Sequence, residues 1–340
     1  TWETVTQLDF GFAASFLNNR LTGTFDWYRR NTKDMWVAGA TLPATLGASV
    51  PKSNSADMKT IGWELSLGWN DRLENGFSYW VKGVLSDYQA TITKYAGNDA
   101  GFYSQSDGDG KYYVGQKIGE IWGYHSNGLF QSDDEAATID QSELYAGKWG
   151  AGDVKYEDLD NDGKITKGEE TIYNPGDKSI IGNKTPRYQF GITVGFDYKN
   201  FDFEMFWQGT GKRDYMLSGA QFWGFTSQWD VPYTPALDYW TETNTDAYFP
   251  RPGWQNGGNR VTSDRYLQSA AYGRLKNLTV GYTIPKNLTT KWGISRLRLY
   301  VTGENLLTIT PLNDAFDPET LGGMTYPINR KVAIGLNLTL

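Results

Sequence analysis

The sequence predicts an all-β protein, a transmembrane antiparallel β-barrel with long extracellular loops and short periplasmic turns. Three observations predict this class. Apolar and polar residues alternate with a period of two in many segments, which indicates strands with one apolar face. Aromatic residues stand at both ends of the apolar stripes, where a membrane-crossing strand meets its two interfaces. Short and long connections alternate along the chain, as they do in transmembrane barrels.

The clearest strand pair is the segment from Tyr188 to Trp207, YQFGITVGFDYKNFDFEMFW. Its first half places one set of residues on an apolar face, namely Tyr188, Phe190, Ile192, Val194, Phe196 and Tyr198. Lys199 and Asn200 then form a predicted turn, and the alternation resumes at Phe201. The aromatic residues flank the aliphatic ones, so the segment predicts a membrane-spanning hairpin.

The same alternation predicts about nine strands in order along the chain. They cover residues 3–16, 20–31, 58–70, 77–94, 187–198, 201–216, 266–284, 293–309 and 328–340. Predicted short connections lie near 17–20, 71–76, 199–200 and 285–291, and long ones near 31–57, 95–186, 216–265 and 310–327. Because a single-chain bacterial barrel closes with an even number of strands, nine strands indicate the C-terminal portion of a larger barrel.

Composition narrows the classes that remain. The 340 residues include no cysteine and one histidine, and 15% are aromatic. Mean hydropathy is −0.54, and no apolar run reaches the roughly 18 residues of a transmembrane helix, so any span has to be a barrel. The net charge of −7 argues against a nucleic-acid partner. The alternative fold is a secreted β-sandwich with one wet face on each strand.

An ordered set of stretches resembles one known family. The set consists of LDFGFAASFLNNRLTGTFDWYRRNTKDM (8–35), GQKIGEIWGYHSNGLFQS (115–132), DVKYEDLDNDGKIT (153–166), IIGNKTPRYQFGITVGFDYKNFDF (180–203), YGRLKNLTVGYTIP (272–285) and LRLYVTGENLLTIT (297–310). The chain resembles the C-terminal part of a SusC/RagA-type TonB-dependent outer-membrane transporter. Unlike many members of that family, it ends in Leu340 and not in an aromatic residue.

The resemblance implies both architecture and function. Residues 1–340 would supply the last nine strands of a plugged barrel of about 22 strands, while the plug domain and the TonB box are absent from this chain. The implied function is TonB-energised import of a nutrient oligomer, glycan or peptide, across the bacterial outer membrane. The implied partners are a SusD-like surface lipoprotein, the TonB complex acting through the plug, the remainder of the barrel and the lipid bilayer.

One local motif predicts a metal. Acids at Asp158, Asp160 and Asp162, the glycine that follows, the backbone carbonyl at Lys164 and an acid at Glu169 match the twelve-residue EF-hand calcium loop. Hard Ca²⁺ needs several oxygen ligands, and this spacing supplies them. The sequence therefore predicts a structural calcium site within the long extracellular loop 95–186. The alternative is an acidic turn without metal.

The extracellular loop 216–265 is rich in aromatic residues. Trp223, Trp229, Tyr233 and Trp240 are candidates for contact with substrate or with the lipoprotein, because Trp and Tyr are favoured interface residues. Packing within the loop explains the same pattern. Inward-facing charges such as Asp202, Arg298 and Glu304 are expected to contact one another or a plug.

Catalytic signals are sparse, and we predict no enzyme. His125 is the single histidine, so the sequence offers no redundancy for a Ser-His-Asp triad and no multi-histidine metal site; an ordinary loop role is expected. Two other functions remain open from the residues alone. One is a secreted calcium-dependent glycan-binding β-domain, and the other is an outer-membrane enzyme.

Overall fold

The computed structural model describes residues 2–38, 45, 47, 51–96, 98, 101–102, 112–146, 148–227, 229–253, 256–321 and 326–340. Its strands are β1 (Thr4–Phe16), β2 (Leu21–Ala38), β3 (Lys52–Arg72), β4 (Ser78–Tyr95), β5 (Glu120–Tyr124), β6 (Ser126–Leu129), β7 (Val154–Tyr156), β8 (Lys178–Asn183), β9 (Arg187–Tyr198), β10 (Phe201–Lys212), β11 (Asp214–Met216), β12 (Leu267–Ser269), β13 (Tyr272–Thr283), β14 (Arg296–Ile309) and β15 (Lys331–Thr339).

Helices are short and lie in the connections. They are α1 (Asp133–Ala136), α2 (Ser142–Tyr145), α3 (Ala220–Trp223) and α4 (Lys286–Thr289), with 3-10 turns at Thr234–Leu237, Gly257–Arg260 and Thr290–Trp292. Among the described residues, none of these helices is long and apolar enough to cross a membrane, a finding that concerns helical spans alone.

Nine strands form one antiparallel sheet in the order β1-β2-β3-β4-β9-β10-β13-β14-β15. Each strand of this wall therefore pairs with the wall strands that come before and after it in the sequence. The other six strands lie in the connections between wall strands. Three two-stranded sheets pair β5 with β8, β6 with β7, and β11 with β12. The predicted antiparallel barrel wall is confirmed, and within the described residues β1 and β15 are its two edges.

Strand register carries one apolar row across the whole wall. The row runs through Phe16, Leu21, Trp69, Val81, Val194, Met205, Leu278, Gly303 and Val332, each opposite the next. The row next to it on the other face contains polar or small residues, such as Lys82 opposite Thr193. Because side chains alternate between the faces of a strand, the wall has one apolar face and one polar face.

The wall has two rims at which its strands turn, and the connections at these rims differ. Residues 17–20, 73–77, 199–200 and 284–295 link strands at one rim, while 39–51, 96–186, 213–271 and 310–330 link them at the other. This asymmetry agrees with the predicted pattern. Each predicted long connection includes residues outside the described set, such as 39–44, 103–111, 254–255 and 322–325.

Two strands are longer than predicted. β2 continues to Ala38 instead of residue 31, and β3 begins at Lys52 instead of residue 58. Both extensions belong to one ladder, in which Met35 pairs with Ala56 beyond an irregularity. Backbone pairing continues past the apolar stripe because hydrogen bonding does not require an apolar side chain.

Large rings on the polar face lie against glycines of the neighbouring strand. A Cβ added to Gly195 would collide with the ring of Trp80, and one added to Gly335 would collide with the ring of Tyr300. Each ring can therefore lie where it does only because the residue opposite it on the neighbouring strand is glycine.

The long connections pack into a compact lobe, called the loop lobe here, built from the described residues of 112–186, 213–271 and 310–321. Its centre is a cluster of buried apolar residues that includes Phe222, Phe249, Tyr156, Tyr266 and Leu312. Aromatic rings meet edge to face, as in Trp223 against Tyr266 at 4.6 Å between centroids. The apolar side chains of the wall lie on an exposed face, whereas those at the centre of the loop lobe are buried.

Candidate functional site

The acidic motif folds around the carboxylate of Asp158. That carboxylate accepts hydrogen bonds from the backbone N–H groups of Asn161 (2.6 Å) and Gly163 (2.8 Å). Asn161 and Gly163 have positive φ angles of 61° and 82°, and such angles are least costly for glycine and asparagine. Desolvation raises the pKa of Asp158, but the N–H donors outweigh it and hold the pKa below its ordinary value.

A second acid, Asp177, lies beside this loop. Its carboxylate accepts from Leu159 N at 2.8 Å and from Thr166 N at 2.7 Å, and the residue is 1% exposed. Ligand oxygens of Asp158, Asp160 and Asp177 all lie within 4.8 Å of one another. Burial raises the pKa of Asp177, and the charges of Asp160 and Asp158 add to that rise. Three carboxylates held this close fit a hard cation.

The structure brings together some of the predicted ligands. Asp158 and Asp160 converge, whereas Asp162 and Glu169 are outside the convergent set that the described residues form. Asp162 accepts instead from the backbone N–H of Lys164 at 2.8 Å. The EF-hand template missed Asp177, which follows Glu169 by eight residues and is beyond the span that the template covers.

The predicted aromatic contacts divide into two groups. Trp223 and Trp240 are each 8% exposed and belong to the centre of the loop lobe. Trp229 is 84% exposed and Tyr233 is 50% exposed. Val231 and Leu237 are also exposed. Among the described residues of the aromatic loop, the exposed large apolar side chains therefore lie in the segment 229–237.

Asp153 joins the two longest connections inside the lobe. Its fully buried carboxylate accepts from Gly150 N at 2.9 Å, Arg251 Nη2 at 2.7 Å, Asn256 Nδ2 at 3.1 Å and Asn259 Nδ2 at 2.9 Å. These donors come from both 148–152 and 251–260. The charge of Asp153 therefore holds the two segments to each other.

A second charged cluster ties the last long connection to the polar face of the wall. Arg274, which is 2% exposed, donates to Thr308 Oγ1 at 2.9 Å and to Asp317. Glu319 lies 3.3 Å from Arg274 Nη1 and accepts from Lys276 Nζ at 3.0 Å. Residues 310–321 are held against β13 and β14 by these contacts.

Charges on the polar face contact one another, as the sequence predicts. Arg298 donates through Nε to Asp202 Oδ1 at 2.9 Å and through Nη2 to Asp202 Oδ2, a bidentate pair across β10, β13 and β14. Lys331 Nζ lies 3.6 Å from Glu304. Polar pairs of this kind are expected on the face of a barrel wall that is turned away from lipid.

His125, for which the sequence predicts an ordinary loop role, lies between two polar side chains. Its Nδ1 lies 2.7 Å from Asp264 Oδ2, and its Nε2 lies 2.7 Å from Ser179 Oγ. This is the order of a serine triad. Ser179, however, lies within strand β8 opposite Gly123, and the other Asp264 oxygen accepts from Ser126 N at 2.9 Å. We interpret the contacts of His125 with Asp264 and Ser179 as hydrogen bonds that join three segments of the lobe.

Comparisons with known proteins agree with this architecture. TonB-dependent receptor P3 of Formosa agariphila is 29% identical over 367 residues, which cover 99% of this chain and 34% of that protein. TonB-dependent receptor SusC of Bacteroides thetaiotaomicron is 25% identical, with 99% of this chain and 32% of that protein covered. The chain thus spans about a third of the length of the curated relatives that it matches. No protein-family model matches it.

Solved structures show the same fold. The RagAB peptide importer in its open-open state matches with a TM-score of 0.76 and 22% identity, over 100% of this chain and 35% of that one. The RagAB peptide transporter matches with a TM-score of 0.75 over 99% of this chain and 35% of that one.

Over nearly its whole length the chain is similar in sequence to about a third of the length of one class of protein, the TonB-dependent receptors, and its nine-stranded antiparallel wall has the fold of the matching part of RagAB. Within that class it is similar to SusC in sequence and to RagAB in fold.

Proposed function

We propose that the chain forms part of an outer-membrane importer of nutrient oligomers, energised through TonB. The observation that carries this proposal is the apolar row that runs through all nine strands of the wall. An apolar face of this extent is stable in contact with lipid, while the polar face lines a water-filled interior. The relatives that share the sequence are named TonB-dependent receptors, which supports transport and not catalysis. The remaining strands of the receptor would pair with β1 and β15.

The membrane-facing side can be tested with two adjacent residues of β9. Val194→Arg places a charge on the apolar face and is expected to destabilise the inserted barrel by about 2–4 kcal/mol. Thr193→Arg places the same charge on the polar face and is expected to assemble almost normally. The measurement is the yield of folded receptor in outer membranes. Equal yields for both variants, or a receptor that stays monodisperse without detergent, would contradict the proposal.

The proposed partners are a SusD-like surface lipoprotein above the barrel and the TonB complex below it. We assign the lipoprotein contact to the exposed segment 229–237, because exposed Trp and Tyr are efficient interface residues. RagAB, whose fold this wall shares, is described as a peptide importer, and SusC is a sequence relative. The cargo proposed here is an oligomer, and glycan and peptide both remain candidates.

The double substitution Trp229→Ala and Tyr233→Ala is expected to weaken lipoprotein capture by about tenfold or more, because each side chain of this kind can contribute above 1 kcal/mol. Copurification of the lipoprotein with the receptor measures the effect. Tyr173→Ala is the control, since Tyr173 is 82% exposed but lies outside the segment. Undiminished copurification would refute the assignment and leave cargo contact as the role of the segment.

We further propose that the acidic motif holds a structural calcium ion, with Asp158, Asp160 and Asp177 as carboxylate ligands. The convergence of their oxygens within 4.8 Å supports this set. Calcium would offset two of the three negative charges on carboxylates that otherwise repel one another, and it would fix residues 158–177 within the lobe.

Asp177→Asn is expected to lower calcium affinity by about tenfold or more, whereas Glu169→Gln is expected to leave it nearly unchanged. Calorimetric titration and protease resistance of the lobe, with and without chelator, measure this. Without metal, ionisation of Asp177 opposes folding, because its pKa is higher in the folded chain than its ordinary 3.8. The stability of the metal-free lobe should therefore fall as the pH rises from 3.8 to the higher pKa that Asp177 has in the folded chain. The stabilisation of the lobe by calcium should grow over the same pH range. A stronger effect of Glu169→Gln would contradict the ligand set.

A further inference from the structure

Three cations cluster on the apolar face of the wall, near the rim at which the long connections join the strands. Lys59 of β3 lies directly opposite Asn31 of β2. Arg29 and Lys33 lie two residues to either side of Asn31 and therefore share its face. Diagonal neighbours of this kind are about 7–8 Å apart at Cα, so the three side chains surround one small area. Arg29 and Lys33 are exposed and Lys59 is half-buried.

The cluster begins where the aromatic end of the apolar stripe stops. Trp27 pairs with Trp63, and the next row on the same face pairs Arg29 with Ile61. Arg29 is thus two residues, about 7 Å, beyond the tryptophan row. In a membrane wall, tryptophan rings mark the boundary of the hydrocarbon. The cations consequently lie at the depth of the lipid head groups.

A fourth cation extends the cluster across β4. Thr91 lies opposite Lys59, and Lys117 of the following connection forms a bridge with Thr91 on its other side. Lys117 is exposed. Arg29 Nε also donates to Asn31 Oδ1 at 3.4 Å, which draws the guanidinium over the same area.

Carboxylates do not neutralise this cluster. Within the described part of the chain, the charged side-chain nitrogens of Arg29, Lys33, Lys59 and Lys117 form no ion pair within 4.0 Å, although those of Arg20, Lys155 and Lys276 do. Glu120 lies beside Lys117, but its carboxylate accepts from the backbone N of Lys117 at 3.1 Å and from the hydroxyl of Tyr113. The acid in the tryptophan row, Asp87, is paired with Arg187. Two further acids lie beyond the cluster: Asp34 is 4.0 Å from Lys94, and Asp57 accepts from Asp34 N. Four free cations therefore face the surroundings of the wall.

We infer that Arg29, Lys33 and Lys59, extended by Lys117, bind the phosphate groups of a phosphorylated glycolipid in the outer leaflet. The inference rests on the proposed membrane location of the wall. A guanidinium can bind phosphate through two hydrogen bonds, and lysines add long, flexible ammonium groups that reach the head-group layer. The acyl chains of the same lipid would lie along Phe25, Trp63 and Leu65 below. Charge above and apolar surface below match the two halves of one lipid molecule.

The test uses the complete receptor purified in detergent and titrated with a diphosphorylated glycolipid, with native mass spectrometry as the readout. The variant Arg29→Gln/Lys33→Gln/Lys59→Gln is expected to bind at least about tenfold more weakly, because each cation near an anionic surface adds favourable binding. The control Lys199→Gln/Lys286→Gln/Lys291→Gln removes three exposed lysines from the rim of short connections and should bind as the wild type does. The dephosphorylated glycolipid should bind the wild type as weakly as the triple variant binds the phosphorylated one.

Equal binding by the two triple variants would overturn the inference. Displacement of the lipid by inorganic phosphate at millimolar concentration would also overturn it, by showing a site for the free ion. If the first variant fails to fold, a photoactivatable phosphorylated glycolipid on the wild type decides the matter, since cross-links should map to residues 29–33 and 59. A receptor that fails to enter membranes would refute the proposed function itself, which the Val194 and Thr193 pair measures separately.

Discussion

Asp153→Ala is expected to open the loop lobe while leaving the wall assembled. The substitution removes the one carboxylate that accepts from Gly150, Arg251, Asn256 and Asn259. Gly150 N and Asn259 Nδ2 then lose their acceptor in a buried place, and Arg251, whose side chain is 43% exposed, loses its counter-charge. A buried donor left without an acceptor costs about 1–3 kcal/mol, so the two together should cost about 2–6 kcal/mol. Because a local unit can open at a lower free energy than the whole protein, we expect this loss to open the lobe before the wall.

Limited proteolysis of the full receptor measures this result, with cleavage expected in 112–186 and 213–271. Heat-modifiable migration on a gel reports the wall separately and should not change. Glu157→Ala is the matched control, since Glu157 is an exposed acid four residues away. A lobe that resists protease equally in both variants would show that Asp153 does not hold the two connections together.

Asp317→Ala is expected to release residues 310–321 from the polar face. Arg274 is 2% exposed and would retain only Thr308 and the more distant Glu319 as partners. Because Glu319 remains 3.3 Å from Arg274 Nη1, the cost should be below that of a fully unpaired buried charge, which is about 3–5 kcal/mol. Hydrogen exchange in 310–321 should accelerate by two orders of magnitude, the equivalent of about 2.7 kcal/mol.

The double variant Arg274→Met/Asp317→Ala separates charge from packing. Because it leaves no buried cation behind, its cost should be smaller than the sum of the two single changes. Asp314→Ala serves as a control within the same connection. Additive costs would mean that the Arg274–Asp317 pair contributes little beyond the apolar contacts of Leu312 and Phe316 in the lobe.

The wall was predictable from the sequence because its physics is local. Alternation along a strand records which face meets lipid, so the strand from Arg187 to Tyr198 is predicted at its observed bounds. The additional residue pairs of the β2–β3 ladder lie beyond the apolar rows, where the alternation no longer marks the strand. The sequence did not predict β5, β6 and β8, which are only four to six residues long and lie in the loop lobe without an apolar stripe of this kind.

Candidate sites were predicted only where the ligands are close in sequence. Asp158 and Asp160 share one loop, but Asp177 joins them through the folding of the chain. Ser179 and Asp264 meet His125 across 54 and 139 residues, a distance that no local pattern records. Trp223 and Trp229 look alike in the sequence, and only tertiary packing buries the first and exposes the second.

The rings of Trp80 and Tyr300 lie in the hollows left by Gly195 and Gly335. They consequently lie close to the sheet and do not stand upright from its polar face. Two of the bulkiest side chains on that face therefore add little to its height, whereas upright rings would project from it. Replacing either glycine with a larger residue would push the opposite ring away from the sheet.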